Sequence, residues 1–220
     1  MRELKIIGHR GARGLAPENT IVSLLKALGC KVDMIEFDVR VTKDDVSILH
    51  HNRTLRDESG NKLGIEQHTY EELKEHKPDL ATLDDALKAL SGKVPLCIEV
   101  KRKVSIEPVV QTLKNYKHEF FLASKSQKTL LGLHRALPNV PKIVIESWSG
   151  LRAVYRAKQL GTKRLSMNHL FLWSGFIRAM KRRGYELYAY PLNDPKKARR
   201  WAKYGLGGVV TDFPDRFLPP

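Results

Sequence analysis

Eight short extended segments recur along the chain, near residues 4–9, 34–40, 96–101, 119–124, 142–147, 164–168, 186–191 and 207–211, and most are followed by a stretch of helical character. The helical stretches cover 19–28, 83–89, 106–116, 127–136, 151–160, 175–183 and 195–204, several opened by Asn, Ser, Thr or Asp and closed by Gly. A helix between two strands is long enough for a parallel crossover, and such crossovers are right-handed. Eight repeats are the number that closes a (β/α)8 TIM barrel, and 220 residues lie near the short end of that fold's range. The expectation is one barrel domain over residues 1–220.

Two strands carry charge where a barrel would use it. From Met34 to Arg40 apolar and charged residues alternate, so Ile35, Phe37 and Val39 share one face while Glu36, Asp38 and Arg40 share the other. Val94 to Lys101 repeats the arrangement, with Ile98 and Val100 opposed to Glu99 and Lys101. In a closed barrel the apolar face meets the helices and the polar residues gather at the C-terminal mouth. Glu36, Asp38, Glu99 and Lys101 then converge. Confined carboxylates repel one another unless a cation neutralises them, which points to a hard divalent metal with oxygen ligands.

A ninth extended run, residues 46–51, follows the second strand after a link too short for a parallel crossover. It reads as an antiparallel hairpin return. A turn centred between Lys43 and Asp44 sets His51 opposite Glu36, with His50 facing the other way. Residues 52–79 are polar and irregular, and are expected to form a loop over the mouth with a short helix around 70–75.

Taken in order, His9-Arg10-Gly11, Pro17-Glu18-Asn19-Thr20, Glu36-Phe37-Asp38-Val39 with Thr42-Lys43-Asp44, His51, Ile98-Glu99-Val100-Lys101 and Val210-Thr211-Asp212-Phe213-Pro214 resemble the glycerophosphodiester phosphodiesterase family over about residues 6–214. The resemblance implies a metal-dependent barrel hydrolase in which His9 and His51 act as acid and base. It further implies that Glu36, Asp38 and Glu99 hold Mg2+ or Ca2+, that Arg10 and Lys101 bind phosphate, and that Glu18, Asn19, Tyr190 and Asn193 belong to the substrate-binding set. The chemistry agrees, since a phosphodiester needs charge neutralisation and two proton-transfer groups, and imidazoles titrate near neutrality.

Three departures from the family pattern stand out. Asn52 occupies a position where the family carries Asp, which removes an anion beside His51. Asp45 stands where such turns carry Gly, a change that Asp tolerates because it visits the left-handed region. Tyr190-Pro191-Leu192-Asn193 replaces a motif that opens on Trp in the family.

Lys and Arg number 39 against 24 acids, a net charge of +15, which favours anionic partners: the small phosphodiester substrate and weak contact with an anionic membrane surface. The basic clusters lack interleaved aromatics and no nucleic-acid motif is present, so no nucleic-acid partner is expected. The remaining histidines, His68, His76, His118, His134 and His169, have no metal spacing and read as surface or helix residues. Ser147-Trp148-Ser149 is not a nucleophile elbow. Cys30 and Cys97 read as buried thiols rather than a disulfide. The first strand leaves no room for a signal peptide and no apolar run suggests a membrane span, so a cytoplasmic enzyme is expected. Three readings stay open at this point: glycerophosphodiester hydrolysis, a lysophospholipase D-type activity, and a catalytically weak barrel that binds anionic surfaces.

Overall fold

The computed structural model describes residues 4–57 and 59–218. Two barrel strands, β1 (Lys5–Gly8) and β2 (Met34–Val41), precede three short strands outside the barrel: β3 (Ser47–Leu49), β4 (Thr54–Arg56) and β5 (Lys62–Gly64). Six more barrel strands follow, namely β6 (Leu96–Val100), β7 (Phe120–Ser124), β8 (Lys142–Glu146), β9 (Arg164–Asn168), β10 (Glu186–Tyr190) and β11 (Gly208–Thr211). Parallel pairing runs from β2 through β6 to β11 and on to β1, and the β1–β2 pairing Ile7↔Met34 closes the barrel. Every barrel strand lies within one residue of its expected span.

The helices are α1 (Ile21–Gly29), α2 (Tyr70–His76), α3 (Leu83–Leu90), α4 (Glu107–Leu113), α5 (Gln127–Ala136), α6 (Gly150–Gln159), α7 (Ser174–Arg182) and α8 (Pro195–Ala202). The first starts two residues later than expected. Asn19 adopts a left-handed conformation, φ 58°, and Thr20 takes the cap by accepting from the Ser23 amide. Thr69 and Thr82 open α2 and α3 with capping boxes completed by Glu72 and Asp85.

Alternation along the strands sorts the side chains as the sequence implies. Ile35, Phe37, Val39, Ile98 and Val100 join the core between strands and helices. Inside the barrel, Ile7, Met34, Cys97, Phe121, Ile143, Ile145, Tyr188 and Val210 form a second apolar cluster that fills the interior below the mouth. Both cysteines are buried free thiols.

The hairpin after β2 exists, but its register differs by one from the expectation. Val39 pairs with Leu49 and Val41 with Ser47, so continuing the ladder would set residue 51 opposite Phe37 rather than Glu36. The cause is a three-residue loop, Lys43 to Asp45, closed by the Thr42 amide donating to the Val46 carbonyl, with Asp45 in the left-handed region at φ 61°. Residues 52–79 are also more ordered than expected. They hold the β4–β5 hairpin and α2 over a third apolar cluster of Ile48, Leu55, Ile65, Leu73 and Leu80.

Candidate active site

The site forms where β1, β2 and β6 end at the barrel mouth. After β1 the chain turns sharply through Arg10, φ 51°, and Gly11, φ 83°. A Cβ on Gly11 would lie 2.5 Å from the Ser23 backbone, so only glycine fits the close approach of this turn to α1. The turn delivers two backbone groups to β2: the Arg10 amide donates to Glu36 Oε2 at 2.9 Å and the Gly11 amide to the Glu36 carbonyl at 3.0 Å.

Glu36, Asp38 and Glu99 are all buried, and each offers an oxygen within 4.8 Å of the other two. Lys101 bridges two of them, its Nζ donating to Asp38 Oδ1 and Glu99 Oε1 at 2.8 Å each. Arg10 Nε lies 3.2 Å from Asp38 Oδ2 as an ion pair without hydrogen-bond alignment. Burial alone would push the Asp38 carboxyl up, but Lys101 and Arg10 outweigh it and hold it well below the usual carboxylate range. Glu36 goes the other way. Its burial, and then the charges of Asp38 and Glu99, push it well above that range. Three carboxylates face two cations, and Glu36 registers the unmatched negative charge.

His9 and His51 line the same cavity of about 170 Å³ as Glu36 and Glu99. His9 Nδ1 lies 2.6 Å from Asp212 Oδ1, and because a carboxylate only accepts, Nδ1 carries the proton of that bond. Asn193 supports the pair by donating from Nδ2 to Asp212 Oδ2 at 2.8 Å, while its Oδ1 accepts from the Asp212 amide and the Thr211 hydroxyl. Burial would raise the Asp212 carboxyl, yet its bonds to His9 and Asn193 hold it at about 2.

His51 lines the cavity despite the shifted register: the ladder continues past β3 to His50, whose amide donates to the Asp38 carbonyl at 3.1 Å, and ends there. Arg40 Nε pins the turn by donating to the His51 carbonyl at 3.1 Å. Nδ1 of His51 lies 3.0 Å from Asn52 Oδ1. The His51 pKa is lowered, chiefly by burial; Asp38 opposes the shift, and Lys101 and Arg10 add to it. His50 points elsewhere, with Nε2 3.3 Å from the Thr54 carbonyl.

The other sequence candidates divide between wall and frame. Arg10 and Tyr190 line the cavity, and burial pushes the Tyr190 phenol up to about 12. Glu18 holds the Arg10 guanidinium, both carboxylate oxygens accepting from Nη1 at 2.7 and 2.8 Å. Asn19 clamps Asp38 by donating from Nδ2 to Oδ2 while its Oδ1 accepts from the Asp38 amide, both at 3.0 Å. Glu18 and Lys101 therefore hold the lining residues Arg10 and Glu99, while Asn19 and Asn193 hold Asp38 and Asp212 behind the wall. Glu146, with Arg156 at 3.3 Å, and Asn168, which caps a 3₁₀ turn, lie outside it.

Sequence reasoning gave no role to Asp212, Arg13 or Lys125. Asp212 lay in a matched motif directly after the last strand, a position that signals a mouth residue. Arg13, 3.5 Å from Asp212 and 3.6 Å from Glu18, and Lys125, over the Tyr190 ring at 5.3 Å, both line the cavity. Neither stands in a distinctive pattern.

Comparison with known proteins gives a consistent picture. The model of the glycerophosphoryl diester phosphodiesterase family matches residues 9–216. YhdW of Bacillus subtilis (strain 168) is 30% identical over 231 residues, covering 96% of this chain and 95% of its own. A glycerophosphodiester phosphodiesterase of the same organism is 26% identical over 247 residues, covering 96% and 84%. Among solved structures, an Oleispira antarctica phosphodiesterase in complex with the product sn-glycerol-3-phosphate has the same fold, with a TM-score of 0.88, 24% identity and coverage of 96% of this chain and 94% of that one.

Proposed function

The chain belongs to the glycerophosphoryl diester phosphodiesterase family and is a phosphoric diester hydrolase, and from that premise we propose a metal-dependent hydrolysis of glycerophosphodiesters to glycerol 3-phosphate and an alcohol, with His51 as base and His9 as acid. The observation that carries the assignment is that both imidazoles line one cavity with Glu36 and Glu99, and each has Nδ1 committed to a neighbouring oxygen.

The donor set fits a hard divalent cation, Mg2+ or Ca2+. Glu36, Asp38 and Glu99 offer only oxygens, and of the two cations against them Lys101 is shared by Asp38 and Glu99 while Arg10 is shared with Glu18. Burial pushes the neighbouring Cys97 thiol well up, and it is not among the residues whose ligand atoms converge. When bound, the cation supplies charge neutralisation at the phosphate oxygens and makes the attacking hydroxyl more acidic.

The protein's own groups do the rest. His51, neutral because its pKa is lowered, takes the proton from the attacking hydroxyl through Nε2 as the new P–O bond forms. His9, its Nδ1–H held by Asp212, gives the proton on its other nitrogen to the departing alkoxide as the old P–O bond breaks. Arg10, with Arg13 and Lys125 on the same wall, faces the charge that builds on the phosphoryl oxygens.

The test is a substrate panel of glycerophosphocholine, glycerophosphoethanolamine, glycerophosphoinositol and a lysophospholipid, with release of each alcohol measured. Turnover of the glycerophosphodiesters above that of the lysophospholipid is expected. The reverse order would replace this substrate class with the lysophospholipase D reading, and no turnover of any member would leave a binding barrel.

A further inference from the structure

The rim of the barrel mouth is divided by charge. In a barrel of this type the loops after the strands share the face that holds the active site. Acidic residues stand in the loops after β1, β2, β10 and β11, including Glu18, Asp44, Asp194 and Asp215. The four successive loops after β6, β7, β8 and β9, together with the first turns of α5, α6 and α7, contain none; the nearest acids are Glu107 in the first turn of α4 and the buried Glu146 at the end of β8, which pairs with Arg152 and Arg156.

That basic half carries exposed cations and exposed apolar side chains together. Arg102, Lys103 and Lys128 line a cleft of about 620 Å³ and make no ion pair among the described residues. Next to it around the rim, Trp148, Leu151 and Trp173 open onto an apolar groove of about 630 Å³ between α6 and α7. Trp148 is 66% exposed, Leu151 86%, Leu170 73% and Trp173 62%. Isolated exposed apolar residues need no explanation, but a group of this size on one rim does.

We infer that this half of the mouth docks onto the surface of a bilayer containing anionic phospholipid. Indole rings settle at the headgroup level, where one edge is wet and the other apolar, and Lys and Arg are drawn to anionic headgroups. With Glu107 the one exposed carboxylate in these loops and first turns, cations outnumber acids and the repulsion such a surface would meet elsewhere on the rim is reduced. A second copy of the chain fits poorly, because two faces of like charge would meet. A nucleic-acid backbone would satisfy the cations but has no use for the exposed Leu151 in the first turn of α6 and Leu170 in the 3₁₀ turn after β9. No helix among the described residues is long and apolar enough to cross a membrane, so the contact is peripheral. Docking in this pose brings the active-site cavity to face the headgroup layer.

The experiment uses the full chain with vesicles of phosphatidylcholine alone and of phosphatidylcholine mixed with phosphatidylglycerol. Binding is read by flotation and by quenching of tryptophan fluorescence with brominated lipid. Trp201 is buried, so quenching reports Trp148 and Trp173. Binding only to the mixed vesicles, with quenching, is expected. Arg102→Gln and Lys128→Gln should each weaken partitioning by about fivefold. The double variant Leu151→Ser, Leu170→Ser alters only exposed side chains. It should abolish quenching and leave turnover of soluble glycerophosphocholine unchanged. Three results would overturn the proposal: no binding to the mixed vesicles, binding that the leucine variant leaves intact, or a dimer in size-exclusion chromatography that the same variant dissolves.

Discussion

Asn52 is the residue that most sets this chain apart from the family pattern it otherwise matches. Its Oδ1 accepts from His51 Nδ1, which fixes the tautomer and leaves Nε2 unprotonated for base chemistry. Burial lowers the His51 pKa, so in the proposed mechanism base activity is retained at neutral pH and falls off as pH drops through that lowered value. Asn52→Asp would place an anion against the ring and favour imidazolium. The acid limb of kcat/KM against pH should therefore move upward, and superimposable profiles would show that the position lies outside the electrostatic reach of the site. His9→Ala and His51→Ala should each lower kcat by at least about a hundredfold, the scale of a positioned acid or base. His50→Ala should leave kcat near that of the parent, since that ring bonds the Thr54 carbonyl, and an equal loss there would contradict the facing described above. Asp212 is held at about 2, so its pairing with His9 stabilises the fold fully above about pH 4 and is lost as pH falls through 2. Asp212→Asn keeps the shape but loses the charge. It should lower kcat by about tenfold or more, part of the factor supplied by a positioned acid, with little change in KM, and should flatten the acid end of the stability profile.

At the scale of elements, what the sequence made legible was periodicity. Alternation in β2 and β6 marked which side chains face the mouth, and the structure keeps that division from Ile35 to Asp38 and from Ile98 to Glu99. The hairpin register was not legible, because it depends on which residue of Lys43–Asp45 takes the left-handed conformation, and Asp44 and Asp45 are the same residue type. The β4–β5 hairpin escaped notice because its strands have three residues each and hold apolar side chains only at Leu55 and Leu63. Long-range frame contacts were equally hidden: nothing local in Glu18 or Asn193 says that one grips Arg10 and the other Asp212. The loop account has its own test. Asp45→Gly should match or exceed the parent in urea denaturation, whereas Asp45→Val should lose about 1–2 kcal/mol, the cost of a side chain forced into the left-handed region. Equal stability for both would mean that the loop is not held at that conformation.

Across the whole molecule, barrel closure converts sequence-distant residues into one site. The β1–β2 seam brings His9 and Arg10 against Glu36, and the β2–β6 pairing sets Asp38 beside Glu99. The last strand then carries Asp212 round to His9, across 203 residues of chain. The site so assembled keeps three buried carboxylates against two cations, and the account rests on a divalent ion making up the difference. The most direct measurement is the rate of glycerophosphocholine hydrolysis by chelator-treated protein of verified metal content, before and after addition of Mg2+ or Ca2+. The expected result is a rate near the uncatalysed background that one of these ions restores. Full turnover in protein shown to be free of metal would contradict the account.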